Sequence, residues 1–102
     1  MQIFDLQTMT AHPYADRAKN VFYQTDAFKT RIIELPPEGE LPTCKMASHV
    51  IFYVLAGSAE VTVNQKQVTL QEGACLISEP ATFTMRTATG VKILGVQIMP
   101  HN

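Results

Sequence analysis

The chain of 102 residues is 46% apolar and 17% charged, and eight Lys and Arg against nine Asp and Glu give a formal charge of −1. That length fits one domain, since single cores take ~100–200 residues, and the apolar share excludes a disordered chain. No basic cluster offers the positive footprint that a phosphate backbone demands, and no basic amphipathic stretch suits a membrane surface, so neither nucleic acid nor membrane is an expected partner.

The opening MQIFDLQTMT lacks the positive start and apolar run of a signal peptide, and no segment approaches the ~20 apolar residues that span a bilayer. A cytoplasmic location is the expectation, with Cys44 and Cys75 as free thiols in a reducing compartment. Residues 1–19 form an N-terminal segment in which only Tyr14–Lys19 suits a helical turn, with Pro13 at its first position. Strands are expected over Asn20–Thr25 and Ala27–Leu35, both rich in aromatic and β-branched residues. Pro36-Pro37-Glu38-Gly39 is a turn between strands. His49–Ala56 is almost wholly apolar, whereas Ala59–Asn64 alternates, with Val61 and Val63 on one face and Glu60, Thr62 and Asn64 on the other. Asn64-Gln65 stands where a tight hairpin needs residues tolerant of positive φ, which Asn is and Gln less so. Lys66–Leu70, Ala74–Ser78, Thr82–Thr87 and Val91–Ile98 complete eight strands, separated by Gln71-Glu72-Gly73, Glu79-Pro80 and Thr89-Gly90. Eight short antiparallel strands in this length predict an all-β jelly roll, a barrel over residues 20–99 that limits its open edges by folding its sheets over each other.

From Leu35 to Met99 the chain resembles the small single-domain cupins. The likeness is carried by a Pro/Gly turn (LPPEGELP), a strand ending at a glycine turn (IFYVLAG), an alternating strand (SAEVTV) and a second glycine turn with a proline (LQEGACLISEPATFTM). It implies the double-stranded β-helix barrel and a homodimer formed by sheet packing or by exchange of the N-terminal segment, for which Ile3, Phe4, Leu6 and Met9 are suited. Cupins keep one divalent metal on three histidines and a glutamate. Counted back from Gly57, the glutamate position falls on Val50 and the histidine positions on Met46 and Cys44, or on Lys45 and Thr43 in a longer variant. Gly39 stands one residue too close to Cys44. Counted forward from Gly73, the proline position falls on Glu79, with Pro80 beside it, and the third histidine position on Thr84. The resemblance therefore extends to the scaffold and not to the metal ligands, and no cofactor is expected.

The residue chemistry agrees. Fe(II), Mn(II) or Ni(II) wants imidazole and carboxylate, which Val50 and Thr84 do not supply. Cys44 and Met46, two apart on a strand, share a face; together they suit a soft ion such as Cu(I), or simple packing, since Met and free Cys both fill cores. Met85 would be a third soft donor if it faced inward, but the motif points its neighbour Thr84 inside. His49 shares a face with Ala47 and Ile51 and should point out of the barrel, as a surface or interface histidine, unless a bulge re-aims it. His12 and His101 should be solvated, as should Glu79 at its turn. Cys44 has no assignable His-Asp partner and Lys45 points the other way, so packing suits it better than nucleophilic attack. Cys44, Met46, Val50, Phe52 and Thr84, with Phe22 or Tyr23, would line a mostly apolar pocket for a small organic molecule. Three functions stay open: a metal-free binding barrel, an enzyme using Cys44 or a metal set drawn from Cys44, Met46, His49 and Met85, and a structural dimer with a filled interior.

Overall fold

A computed structural model of the chain describes residues 1–100; His101, expected to be solvated, lies outside them. A 3₁₀ helix over Tyr14–Asn20 is followed by eight strands: β1 Val21–Gln24, β2 Phe28–Leu35, β3 Glu40–Met46, β4 His49–Val63, β5 Lys66–Gln71, β6 Cys75–Ser78, β7 Ala81–Arg86 and β8 Val91–Ile98. All pairings are antiparallel. The strands form one sheet folded on itself at β4. Its first half pairs with β8 and β6, giving a layer ordered β1-β2-β8-β4-β6, and its second half pairs with β7 and β5, giving β3-β7-β4-β5.

The number of strands is the expected one, but the set differs. His49–Ala56 and Ala59–Asn64 are a single strand of 15 residues, because Gly57 is a corner rather than a turn. With φ at +78° it lets β4 bend from one layer into the other, and a Cβ there would stand 2.1 Å from the Gly90 carbonyl oxygen, so only glycine fits. A bulge between Val54 and Ala56 sharpens the bend. Thr87, buried, fastens the corner: its hydroxyl donates to the Ser58 carbonyl at 2.6 Å and accepts from the Gly90 N–H at 2.9 Å.

The strand not counted among the eight is β3, on which Cys44 and Met46 lie; its Pro42 is tolerated because β3 is an edge paired only with β7, with a bulge between Leu41 and Cys44. The Pro36–Gly39 turn closes through the Gly39 N–H and the Pro36 carbonyl at 2.8 Å, and the Asn64-Gln65 hairpin has φ of +47° and +74°, both positive as a tight turn requires.

Val50, Val54, Val61, Phe83, Met85, Val91 and Ile93 pack between the layers. The N-terminal segment runs across the outside of β2 and β8: the Ala11 N–H donates to Glu34 at 3.1 Å, the Lys92 ammonium donates to the Gln7 carbonyl at 3.1 Å, and the Phe4 ring meets Phe22 at 4.9 Å. Phe22 and Tyr23, expected as pocket residues, belong to this outer aromatic group; Tyr23 stacks on Phe28 at 5.9 Å. No helix is long and apolar enough to cross a membrane.

Candidate functional site

Strand alternation fixes which side chains look into the barrel. On β2 these are Arg31, Ile33 and Leu35; on β8, Val91, Ile93 and Gly95; on the first half of β4, Val50, Phe52 and Val54; on β7, Ala81, Phe83 and Met85. One end of this interior is filled by Val54, Val61, Val91 and Ile93, all 4% exposed or less. The other end opens as a cleft of about 130 Å³ between β2, β3, β4, β7 and β8.

Gly95 borders the cleft. It lies in one row with Arg31 on β2 and Phe52 on β4, and a side chain at that point would press on both the wall and the space beside it. A Cβ would meet Ile33 Cδ1 at 3.2 Å, Arg31 Cγ at 3.3 Å and Phe52 Cδ1 at 3.8 Å. Phe52 and Phe83, edge to face with centroids 5.7 Å apart, form the floor with Val50. Met46 and Leu41 of β3 form the facing wall.

Cys44, Met46, Val50, Phe52 and Thr84 all border this cleft, but two of them sit otherwise than expected. Cys44 is exposed at the mouth and not packed inside; its thiol rests 3.4 Å from the Met46 sulfur. The β3 bulge and the edge position of the strand carry it outward. Thr84 is not the inward residue of β7. Met85 is, 4% exposed, while Thr84 pairs with Thr62 and also borders a shallow polar cleft on the outer face with Glu60, Gln67 and Arg86. The cause is a one-residue slip: the proline of the second turn is Pro80 and not position 79, and a slip of one exchanges the two faces of a strand. Counted from Pro80, the motif's third histidine position falls on Met85 in place of Thr84.

His49 is exposed, on the face opposite Val50, and does not border the cleft. It is therefore not gathered with Cys44, Met46 and Met85, which do share the cleft. Glu79 is exposed at its turn and His12 is exposed in the N-terminal segment. Cys44 and Cys75 are both free and exposed. Among the described residues no three His, Cys, Asp or Glu side chains come together as a metal set. Cys44, Met46 and Met85 offer this cleft a thiol and two thioethers, and Val50 offers no donor; a hard divalent ion that wants imidazole and carboxylate does not fit this set.

Two arginines at this site have no counterpart among the residues that the sequence motifs single out. Arg31 is half-buried in the wall, and Arg17 stands at the mouth, its guanidinium 4.3 Å from the Tyr14 ring centroid and donating to the Tyr14 carbonyl at 3.2 Å. Burial pulls the Arg31 pKa below its ordinary value; the Cys44 sulfur opposes that pull, Arg17 adds to it and Tyr14 opposes it. Arg31 remains charged at neutral pH.

No family model matches the sequence, and no curated protein matches it. Solved structures do. A cupin superfamily protein from Desulfitobacterium hafniense superposes with a TM-score of 0.74 at 12% identity, over 78% of this chain and 74% of that one. The fold is the cupin fold. A conserved protein of unknown function from Streptococcus pyogenes superposes on it with a TM-score of 0.79 at 18% identity, over 99% of this chain and 90% of the other. The salicylate 1,2-dioxygenase of Pseudaminobacter salicylatoxidans shares the barrel with a TM-score of 0.67 and 15% identity, over 72% of this cupin-fold chain and 21% of the dioxygenase. At these identities the likeness is one of fold.

Proposed function

We propose that this chain is a binding cupin of the cytoplasm, holding a small organic molecule in the cleft without a resident metal. What supports this is an open, mostly apolar cleft bordered by Cys44, Met46 and Val50, the residues on which the family's spacing places two histidines and the glutamate and none of which is an imidazole or a carboxylate. The side chains present can enclose an apolar body against Phe52, Phe83, Met46 and Met85, and flexible thioethers adapt to its shape. Two exposed free thiols suit a reducing compartment.

The test is calorimetric titration with a neutral single-ring probe, benzyl alcohol, in the presence and absence of EDTA. Saturable binding unaffected by the chelator supports the proposal; binding that requires added Fe(II), Mn(II) or Ni(II) overturns it. Gly95→Val, which fills the row between Arg31 and Phe52, should abolish binding.

The same protein is proposed to be a homodimer. Tyr53, Ile77 and Ile98 are 40%, 71% and 39% exposed, and with Ile51, the cross-strand partner of Ile77, they lie on the outward face of the β6-β4-β8 layer. An apolar sheet face of this kind suits packing against a second copy. Ile77→Asp should give a monomer in sedimentation velocity if this face is the interface; an unchanged dimer would instead favour exchange through the N-terminal segment.

A further inference from the structure

We infer that the molecule held in the cleft is an organic anion, a monocarboxylate with a compact apolar body, whose carboxylate is received by Arg31 and Arg17. The inference rests on the cleft being a binding site, as proposed above, and names the class of its ligand. The chain as a whole is slightly acidic, with a formal charge of −1, yet among the described residues the only charged ones bordering the cleft are these two arginines.

Arg31 projects from the inner face of β2, on the same side as the core residues Ile33 and Leu35, where an unpaired guanidinium is costly. Among the described residues it has neither a hydrogen-bond nor an ion-pair partner; the ion pair found there is Arg86 with Glu60, on the outer face. No buried side-chain nitrogen or oxygen among those residues lacks a partner, so the unpaired nitrogens of Arg31 reach water, in a wall that this cleft shares with an adjoining one bordered by Arg17, Glu34 and Glu40. Glu34, on the outer side of β2, accepts from the Ala11 N–H at 3.1 Å and makes no ion pair with Arg31; it and Glu40 border the adjoining cleft and not this one. Arg17 is steadied over the mouth by the Tyr14 ring and carbonyl, which leaves the other edge of its guanidinium available. Two planar forks at the rim of an apolar cleft match a carboxylate, which arginine binds through paired N–H donors. The cleft volume sets the body: about 130 Å³ compares with the ~150 Å³ cavity that admits benzene in another protein, so the ligand carries one ring or a short branched chain.

The experiment compares benzoate with benzyl alcohol, the same ring with and without the charge, by protein NMR titration. Benzoate should bind at least about tenfold more tightly, and its advantage should shrink with added salt while benzyl alcohol stays unaffected. Arg31→Gln should bring the two affinities together, and Arg17→Gln, at an exposed residue, should narrow the gap by a smaller factor. Equal binding of both ligands to the unmodified protein, or a benzoate preference that survives both substitutions, overturns the anion inference and leaves the cleft as a binding site. Binding of neither ligand overturns both. A second readout is the alkylation of Cys44, exposed at the same mouth. A positive charge ~4 Å from the incoming carboxylate should raise the rate of iodoacetate relative to iodoacetamide by about fivefold in water, and Arg31→Gln should reduce that factor; an unchanged ratio overturns the inference.

Discussion

Replacing Gly57 by alanine probes the corner on which the whole cleft depends. At φ +78° an L side chain costs about 1–2 kcal/mol by backbone conformation alone. Gly73 has φ +87°, and a methyl group there would find nothing within 4 Å, so Gly73→Ala should cost that amount and no more. At Gly57 the methyl would stand 2.1 Å from the Gly90 oxygen and 3.0 Å from the Val91 Cα, where ordinary contacts need ~3.5 Å. Neither backbone yields easily: Gly57 pairs with Val91 across the ladder, the Ser58 N–H donates to the Gly90 oxygen at 3.3 Å, and Thr87 holds the same two segments. Overpacking of about 1–3 kcal/mol and at least one weakened hydrogen bond of about 1 kcal/mol add to the conformational cost. The expected loss is about 3–6 kcal/mol for Gly57→Ala against about 1–2 kcal/mol for Gly73→Ala. Urea unfolding followed by far-UV circular dichroism measures both, and at ~4–8 °C per kcal/mol the melting temperatures should separate clearly. Equal costs for the two substitutions would refute the close approach at the corner.

Thr87→Val should destabilise the protein by about 1–3 kcal/mol in the same assay, because it removes the partner of the Gly90 N–H in a buried site. Gln65→Gly should stabilise by a few tenths to about 1 kcal/mol, since Gln65 sits at φ +74° in the β4–β5 hairpin. Glu60→Gln should change stability by less than about 1 kcal/mol, because its ion pair with Arg86 lies on the surface. Gly95→Ala should narrow the cleft and weaken benzyl alcohol binding severalfold, with little effect on the melting temperature, as the groups it meets are side-chain atoms able to shift.

Alternating apolar residues make most strands of this chain legible, and the Gly57-to-Gly73 spacing makes the cupin fold legible. What escapes does so for particular reasons. β3 carries Pro42, Glu40 and Lys45, and its place at the sheet edge is decided by tertiary pairing and not by local preference. A single residue at Pro80 exchanges Thr84 for Met85, because a strand has only two faces. Cys44 reads as a packing residue, but the bulge after Leu41 leaves it at the mouth. Arg31 shares its parity with Ile33 and Leu35, and Gly95 with Ile93, so the alternation that marks the core also carries the signal for the charged wall and the gap beside it. A charged residue and a glycine do not count as hydrophobic, and both drop out of the pattern.

The central claim, that the cleft binds a small molecule without metal, is tested most directly by the methyl signals of Met46 and Met85 during titration with benzyl alcohol in EDTA. Both methyls should shift saturably in the unmodified protein and stay still in Gly95→Val, while the methyl of the exposed Met1 does not move in either. No saturable shift at Met46 and Met85, or a shift that appears only when a divalent metal is added, would contradict the account.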